Sequence, residues 1–349
     1  MKNKKYVPLN TSRSSRNKKS KVALWLLVPL MVIILVAAVY FAKLYATAQK
    51  AIDSSYHTLQ RENAIKVNPL DETTSILLMG IDDTKGRDLG SARADSLIYL
   101  TIDPNKHIVN MVSIPRDTYT DIIYQEQTYE KDKINSAYTK GEEQATIESV
   151  ENLLNVPIHY YVTFNFDAFL EIIDALGGIE VDVPISFSEQ NAEGKLDQIH
   201  LEKGLQTLNG EEALALARTR KIDNDVKRGE RQQLLIQAIT DKALKVGSIT
   251  KYSDAITAVG NNMRTDIRFN DMLGIAQTGL DGKYEFESYV FDWTDFNLNG
   301  ASMVEVYSDS LDFVSHRLRV SIGLDSPDER DEPGYEFQTN GLSNYYSNN

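Results

Sequence analysis

The 349 residues contain no cysteine. That excludes disulfides, a thiol nucleophile and cysteine-ligated zinc or iron–sulfur centres. It fits an exported bacterial protein that folds without oxidative help better than a small disulfide-stapled domain. The five histidines (His57, His107, His159, His200 and His316) show no metal-binding spacing. There is no Walker-type glycine loop and no G-x-S-x-G nucleophile elbow. Positive charge is scarce: 37 Lys and Arg stand against 50 Asp and Glu, a net charge of −13. Eight of those cations fall in residues 1–21; beyond them 29 cations face 50 acids, a net of −21. So acidic a bulk argues against nucleic acid as a partner, because phosphate backbones need a basic footprint.

The amino-terminal 21 residues are a basic tail without Asp or Glu. Val22–Ala42, "VALWLLVPLMVIILVAAVYFA", follows as an uncharged run of 21 residues. As a helix it would be about 31 Å long, enough to cross a bilayer core. Trp25 and Tyr40 fall near its ends, where aromatic rings favour the interface, and Pro29 lies in its first turns. A cleaved signal peptide is the competing reading, but the length favours an uncleaved anchor. The basic side belongs in the cytoplasm. The chain from residue 43 onward is then expected outside the cell membrane, with 43–74 as a stalk.

From Ser75 the pattern becomes globular. "SILLMGID" reads as a buried strand, and "DSLIYLTID" and "HIVNMVSIP" as two strands joined by a "PNK" turn. "TIESVENLLN" is an amphipathic helix and "HYYVTFN" a strand. Asn165 is placed to cap a helix over "FDAFLEIIDAL", which Gly177 and Gly178 end. "GIEVDVP" is a further strand. Asn209 opens a helix with acids in its first turn, and "ERQQLLIQAITDKALK" is another helix. Strands mixed with helices predict an α/β domain with a central mixed sheet flanked by helices, over residues 75–325. Residues 326–349 are polar, acidic and turn-rich, and are expected to be disordered.

Three stretches carry chemistry. In "GIDDTKGRDLGSARADSL", Asp82 and Asp83 follow one strand and Asp95 precedes the next. Carboxylates brought together across a loop repel unless a cation lies between them. Oxygen ligands with no His or Cys nearby suit Mg²⁺ or Mn²⁺. Taken alone, a polar surface loop fits this stretch better. In "SIPRDTY", Arg116 directly follows a strand and a proline; alone, a surface ion pair with Asp117 or Asp121 explains it. In "ARTRKIDNDVKRGERQQ", Arg218 and Arg220 end one helix while Arg228 and Arg231 begin the next. Guanidiniums clamp phosphate oxygens as a planar fork. A solvated charged face with Asp223 and Glu230 accounts for this stretch slightly better on its own. Together the three suit a pyrophosphate, whose charge must be shielded before a P–O bond breaks. An external domain has no ATP, which leaves a lipid-linked pyrophosphate as the energy-rich substrate.

The ordered set "ILLMGID", "ARADSLIYLTI", "VSIPRDTY", "DKINSAY", "FDAFLEIIDALGGIEVDVP", "ALARTRK" and "RGERQQ" resembles the LytR-CpsA-Psr family of Gram-positive cell-wall proteins. The match runs from about Ser75 to Lys245, the motif core. The resemblance implies an extracellular, Mg²⁺-dependent phosphotransferase. It would move a glycopolymer (wall teichoic acid, capsule or a related polysaccharide) from undecaprenyl pyrophosphate to peptidoglycan through a phosphodiester. By motif position, Asp82 and Asp95 would hold the metal, with Asp83 the alternative to Asp82. Arg116, Arg218, Arg220 and Arg228 would hold the pyrophosphate, with Gln232 beside it. Arg93 belongs to the motif before Asp95, and Lys133 and Asn135 fall in another. Asp82, Asp95, Arg218 and Arg220 are the expected catalytic set. Membrane lipid and peptidoglycan are the implied partners. Two other functions compete: an envelope sensor or transcriptional attenuator that binds lipid-linked precursors without turnover, and a lipid pyrophosphate hydrolase.

Overall fold

The computed structural model describes residues 16–59, 61, 65–81, 93–192, 194–219, 225–245 and 262–341. Met1–Ala46 forms one compact unit and Thr47–Asn349 a second. Helix α1 (Arg16–Ser55) contains the apolar run 22–42. Most side chains of that run lie outside the described set. Among the described residues, no helix is long and apolar enough to cross a membrane.

The second unit is built on a six-stranded mixed sheet. Its first strands are β1 (Thr74–Ile81), β2 (Ala94–Asp103) and β3 (Ile108–Ile114). A hairpin of β4 (Tyr119–Tyr124) and β5 (Gln127–Lys133) follows, then α2 (Ser136–Leu154), β6 (Tyr160–Asn165) and α3 (Phe166–Ala175). Next come β7 (Ile179–Val183), β8 (Phe187–Glu189), β9 (Ile199–Leu201) and β10 (Gly204–Leu208). Helices α4 (Gly210–Arg218) and α5 (Asp225–Ala243) precede β11 (Met263–Thr265), α6 (Phe269–Asp281) and β12 (Glu285–Tyr289). The chain continues through β13 (Trp293–Leu298) and β14 (Ala301–Val306) to α7 (Ser308–Ser321). Strand order in the main sheet is β11-β6-β1-β2-β3-β12. β1, β2 and β3 are antiparallel neighbours, whereas β1 pairs parallel with β6 and β3 parallel with β12.

The near-continuous apolar run of β1 requires cover on both faces. On one face Leu77, Met79, Leu97 and Tyr99 pack with Ile147 and Val150 of α2 and with Val314 and Leu318 of α7. On the other, Ile76, Leu100 and Met111 meet Ile236 of α5 and Met272 and Ile275 of α6. A separate apolar cluster joins Ile173, Val181, Leu208, Leu216 and Leu235, binding α3, α4 and α5 to the small strands. The expected helix punctuation is present. Asn165 accepts from the Ala168 N–H at 2.9 Å, and Gly177 and Gly178, at φ 76° and 84°, turn the chain out of α3. Asn209 and Glu212 form a reciprocal capping box on α4.

Two boundaries differ from the sequence reading. Much of the expected stalk packs into the domain. Ile52 and Ser55 are buried, the His57 N–H donates to Thr265 O at 2.8 Å, and Arg61 pairs with Asp266 at 3.1 Å. The tail expected to be disordered is held against α7 as far as it is described, through Gly341. Its Asp331, which read as solvated charge, pairs with Arg317 of α7 at 2.9 Å. Its aromatics, Tyr335 and Phe337, stack on Phe313.

Candidate active site

A cavity of about 230 Å³ opens where β1, β2 and β6 end against α3, α4 and α5. This is the strand-end position at which α/β sheets place ligands. Its polar lining residues are Asp95, Ser96, Arg116, Glu189, Gln190, Arg218, Arg228 and Gln232. The rest is apolar, including Ile98, Phe164, Phe166, Phe169, Leu214, Leu235 and Ile236.

The local folding of each element explains the convergence. Strand β1 bulges between Gly80 and Ile81 opposite the start of β2, where Asp95 lies. Arg116 follows β3 and Pro115 in a tight turn closed by the Thr118 N–H on Pro115 O at 3.0 Å. Its Nη1 donates to Asp95 Oδ1 at 2.6 Å. Helix α5 comes close enough to β3 to reach this pair because residue 229 is glycine. A Cβ there would lie 2.7 Å from Ser113 Cβ, inside contact distance. With the helix seated so, Arg228 Nη2 donates to the Asp95 backbone carbonyl at 3.1 Å.

Gln232, one turn further along α5, ties two elements together. Its Oε1 accepts from Ser96 Oγ at 2.9 Å and its Nε2 donates to Ala217 O at 3.2 Å. Arg218, the last residue of α4, lies over the Phe166 ring with its guanidinium carbon 5.0 Å from the centroid. That cation–π contact holds the charge at the cavity edge.

Arg231 has a different job from its neighbours. It is only 4% exposed. Its Nε donates to Leu216 O at 3.1 Å and its Nη2 to Thr219 O. It therefore satisfies carbonyls at the end of α4 that the helix itself leaves open, and its charge complements the negative end of that helix dipole. The spacing that makes Arg228 and Arg231 neighbours on one helix face sends the first to Asp95 and the second under α4.

Of the residues singled out in the sequence, the structure brings Asp95, Arg116, Arg218, Arg228 and Gln232 to one cavity. Arg93 is exposed and does not line it. Asp82, Asp83 and Arg220 lie outside the described residues. Ser96, Glu189 and Gln190 were not anticipated. The phenylalanines carry a faint signal, since Phe164, Phe166 and Phe169 cluster at the β6–α3 junction, but so would ordinary core residues.

Comparison with known proteins places the chain. The sequence profile of the LytR_cpsA_psr family matches residues 39–320. The polyisoprenyl-teichoic acid–peptidoglycan teichoic acid transferase TagU of Bacillus subtilis is 34% identical over 317 residues, covering 89% of this chain and 99% of that protein. The transferase TagV of the same organism is 42% identical over 246 residues, covering 67% of this chain and 61% of TagV. Among solved structures, TagT bound to LIIa-WTA superposes with a TM-score of 0.63 at 28% identity, covering 76% of this chain and 99% of that one. B. subtilis TagV does so with a TM-score of 0.62 at 36% identity, covering 73% and 99%. The ordered motifs, the mixed sheet and these relatives agree, and the chain belongs to the LytR-CpsA-Psr family.

Proposed function

We propose that the protein is a phosphotransferase that moves a teichoic-acid-type glycopolymer from a polyprenyl pyrophosphate carrier to peptidoglycan. The observation that carries this reading is the cavity's mixed lining: the guanidiniums of Arg116, Arg218 and Arg228 together with aromatic and aliphatic side chains. A lipid-linked pyrophosphate has the same mixed character. The transferase names of the relatives support it. About 230 Å³ is smaller than a pocket enclosing a whole drug-sized ligand. In this reading it holds the diphosphate and the first part of the lipid, and the remaining isoprene units run along the phenylalanine side.

Arg116, Arg218 and Arg228 present permanent charge to the diphosphate oxygens. Charge-assisted hydrogen bonds of this kind contribute about 1.5–3 kcal/mol each. The Phe166 ring and the Asp95 contacts fix the guanidiniums before substrate arrives, so little reorganisation accompanies the reaction. A peptidoglycan hydroxyl attacks the phosphorus that bears the polymer. The new P–O bond forms as the bond to the bridging oxygen breaks, and polyprenyl phosphate departs. The hydroxyl proton passes to a base in the site.

Asp95 offers oxygen ligands with no histidine among the cavity residues, which suits a hard cation such as Mg²⁺ held by one or two carboxylates and substrate phosphates. Asp95 would hold it, together with Asp82, the residue that the family motifs pair with it. When bound, the ion supplies charge neutralisation at the diphosphate. Residues 22–42 would anchor the protein in the cell membrane, placing the cavity outside the cell beside its lipid substrate.

The test is reconstitution. Full-length protein, a polyprenyl-pyrophosphate-linked polymer, Mg²⁺ and peptidoglycan should yield a glycan phosphodiester, and Arg218→Ala should lower the rate at least ~10²-fold. Saturable binding without turnover would instead identify a sensor, and release of free polymer phosphate a hydrolase.

A further inference from the structure

Four alternating charges lead from the cavity wall toward the β4–β5 hairpin. Asp95 Oδ1 accepts from Arg116 Nη1 at 2.6 Å. On its other edge, Arg116 Nε lies 3.8 Å from Asp117 Oδ2. Asp117 Oδ1 in turn accepts from Lys133 Nζ at 2.8 Å. Asp117 and Lys133 do not line the cavity. Both are fixed by backbone. The Ile134 N–H donates to Thr118 O at 2.8 Å and the Asn135 N–H to Arg116 O at 3.2 Å, while Lys133 pairs in register with Tyr119.

A guanidinium is a rigid plane, so an anion on one edge fixes where the other edge points. If Asp95 alone held Arg116, the guanidinium could collapse onto that carboxylate and turn away from an incoming phosphate. Asp117 restrains it from behind. Lys133 occupies the second oxygen of Asp117, which leaves one oxygen to face Arg116 and brings the quartet of formal charges to zero. Without Lys133 the group would carry a net negative charge beside an anionic substrate.

We infer that Asp117 and Lys133 are positioning residues that aim Arg116 at the substrate phosphate without touching the substrate. The inference rests on the cavity being the diphosphate site. A purely structural alternative is that the pair fastens the hairpin to the end of β3. The two differ in what they require: fastening needs opposite charges in either order, whereas aiming Arg116 needs the negative one at residue 117.

The experiment uses full-length protein and the reconstituted transfer reaction, with thermal midpoint as a second readout. Asp117→Asn and Lys133→Met should each lower kcat/KM by about 10–100-fold, the usual cost of losing a partner that orients a site group. Asp117→Glu should retain more activity than Asp117→Asn. The exchange Asp117→Lys/Lys133→Asp should recover the thermal midpoint lost in the single variants but not the transfer rate, because a cation then faces Arg116. Recovery of transfer by the exchange overturns the inference, as do single variants with wild-type kcat/KM. If the wild type itself transfers nothing, the reading of the cavity falls and the inference falls with it; the other two failures leave that reading standing.

Discussion

Substituting Gly229 with Ala should damage catalysis more than stability, and the size of each effect follows from one contact. The added Cβ would lie 2.7 Å from Ser113 Cβ, where ordinary contact begins near 3.4 Å. The first turn of α5 must therefore withdraw from β3 by roughly 0.7 Å or more. Overpacking of this kind costs about 1–3 kcal/mol. For a domain of this size that is a shift of only several degrees in Tm, at about 2–4 °C per kcal/mol. The same withdrawal pulls Arg228 from the Asp95 carbonyl, 3.1 Å away in the seated helix. A misplacement of about 1 Å in a site can cost ~10²-fold in rate. Transfer assays and calorimetric melts on Gly229→Ala, Ser113→Gly and the double variant form a double-mutant cycle. Ser113→Gly removes the atoms the new methyl meets, so the double variant should show a coupling energy of at least ~1 kcal/mol and a partly restored rate. Additive effects, or a Gly229→Ala protein with wild-type rate and Tm, would refute this account of how α5 is seated.

Other expectations are as direct. Arg231→Met should leave Leu216 O and Thr219 O without their buried donor and cost about 2–5 kcal/mol, read in denaturant melts; unchanged stability would refute that role. Phe166→Leu removes the surface beneath Arg218 and should weaken donor binding severalfold, consistent with a cation–π contact of about 0.5–2 kcal/mol, with little change in Tm. His159 gives a pH signature. Burial, aided by the nearby Arg61 charge, lowers its pKa from the ordinary 6.5 to about 4, and its Nδ1 accepts from the Ser75 N–H at 3.0 Å. The unfolded chain then binds a proton that the folded one refuses. The His159 contribution is constant above pH 6.5 and falls through the window down to pH 4, by about 3 kcal/mol in all. Melts between pH 7 and 4 should show that loss in the wild type and not in His159→Gln; identical pH profiles would contradict it.

Much of the fold was legible because its signals are local. The apolar run of β1, the turn between β2 and β3, the Asn165 cap and the Gly177–Gly178 stop each act within a few residues. The β4–β5 hairpin was not legible, because "YTDIIYQEQTYEKDK" is polar and lies largely outside the core. The held carboxy-terminal segment was missed for a related reason: its acids look solvated until Arg317 of α7 is seen opposite Asp331. At the site, the motif positions of the resemblance pointed to Asp95, Arg116, Arg218, Arg228 and Gln232, which line one cavity. Helical spacing alone could not separate Arg228 from Arg231. Their roles diverge through what each meets across the fold, a backbone carbonyl of β2 for one and the end of α4 for the other. Nor could it show that Gly229 matters, since its value lies in the closeness of a strand more than a hundred residues away.

The central claim is that the cavity's guanidiniums recognise a diphosphate rather than a single phosphate or the lipid alone. Titrating the full-length protein in detergent with polyprenyl pyrophosphate and polyprenyl monophosphate, with Mg²⁺ present, tests it most directly. The diphosphate should bind at least ~10-fold more tightly, and Arg116→Ala or Arg218→Ala should abolish that preference while leaving the monophosphate nearly unaffected. Equal affinity for the two lipids in the wild type, or a preference that survives both substitutions, would contradict it.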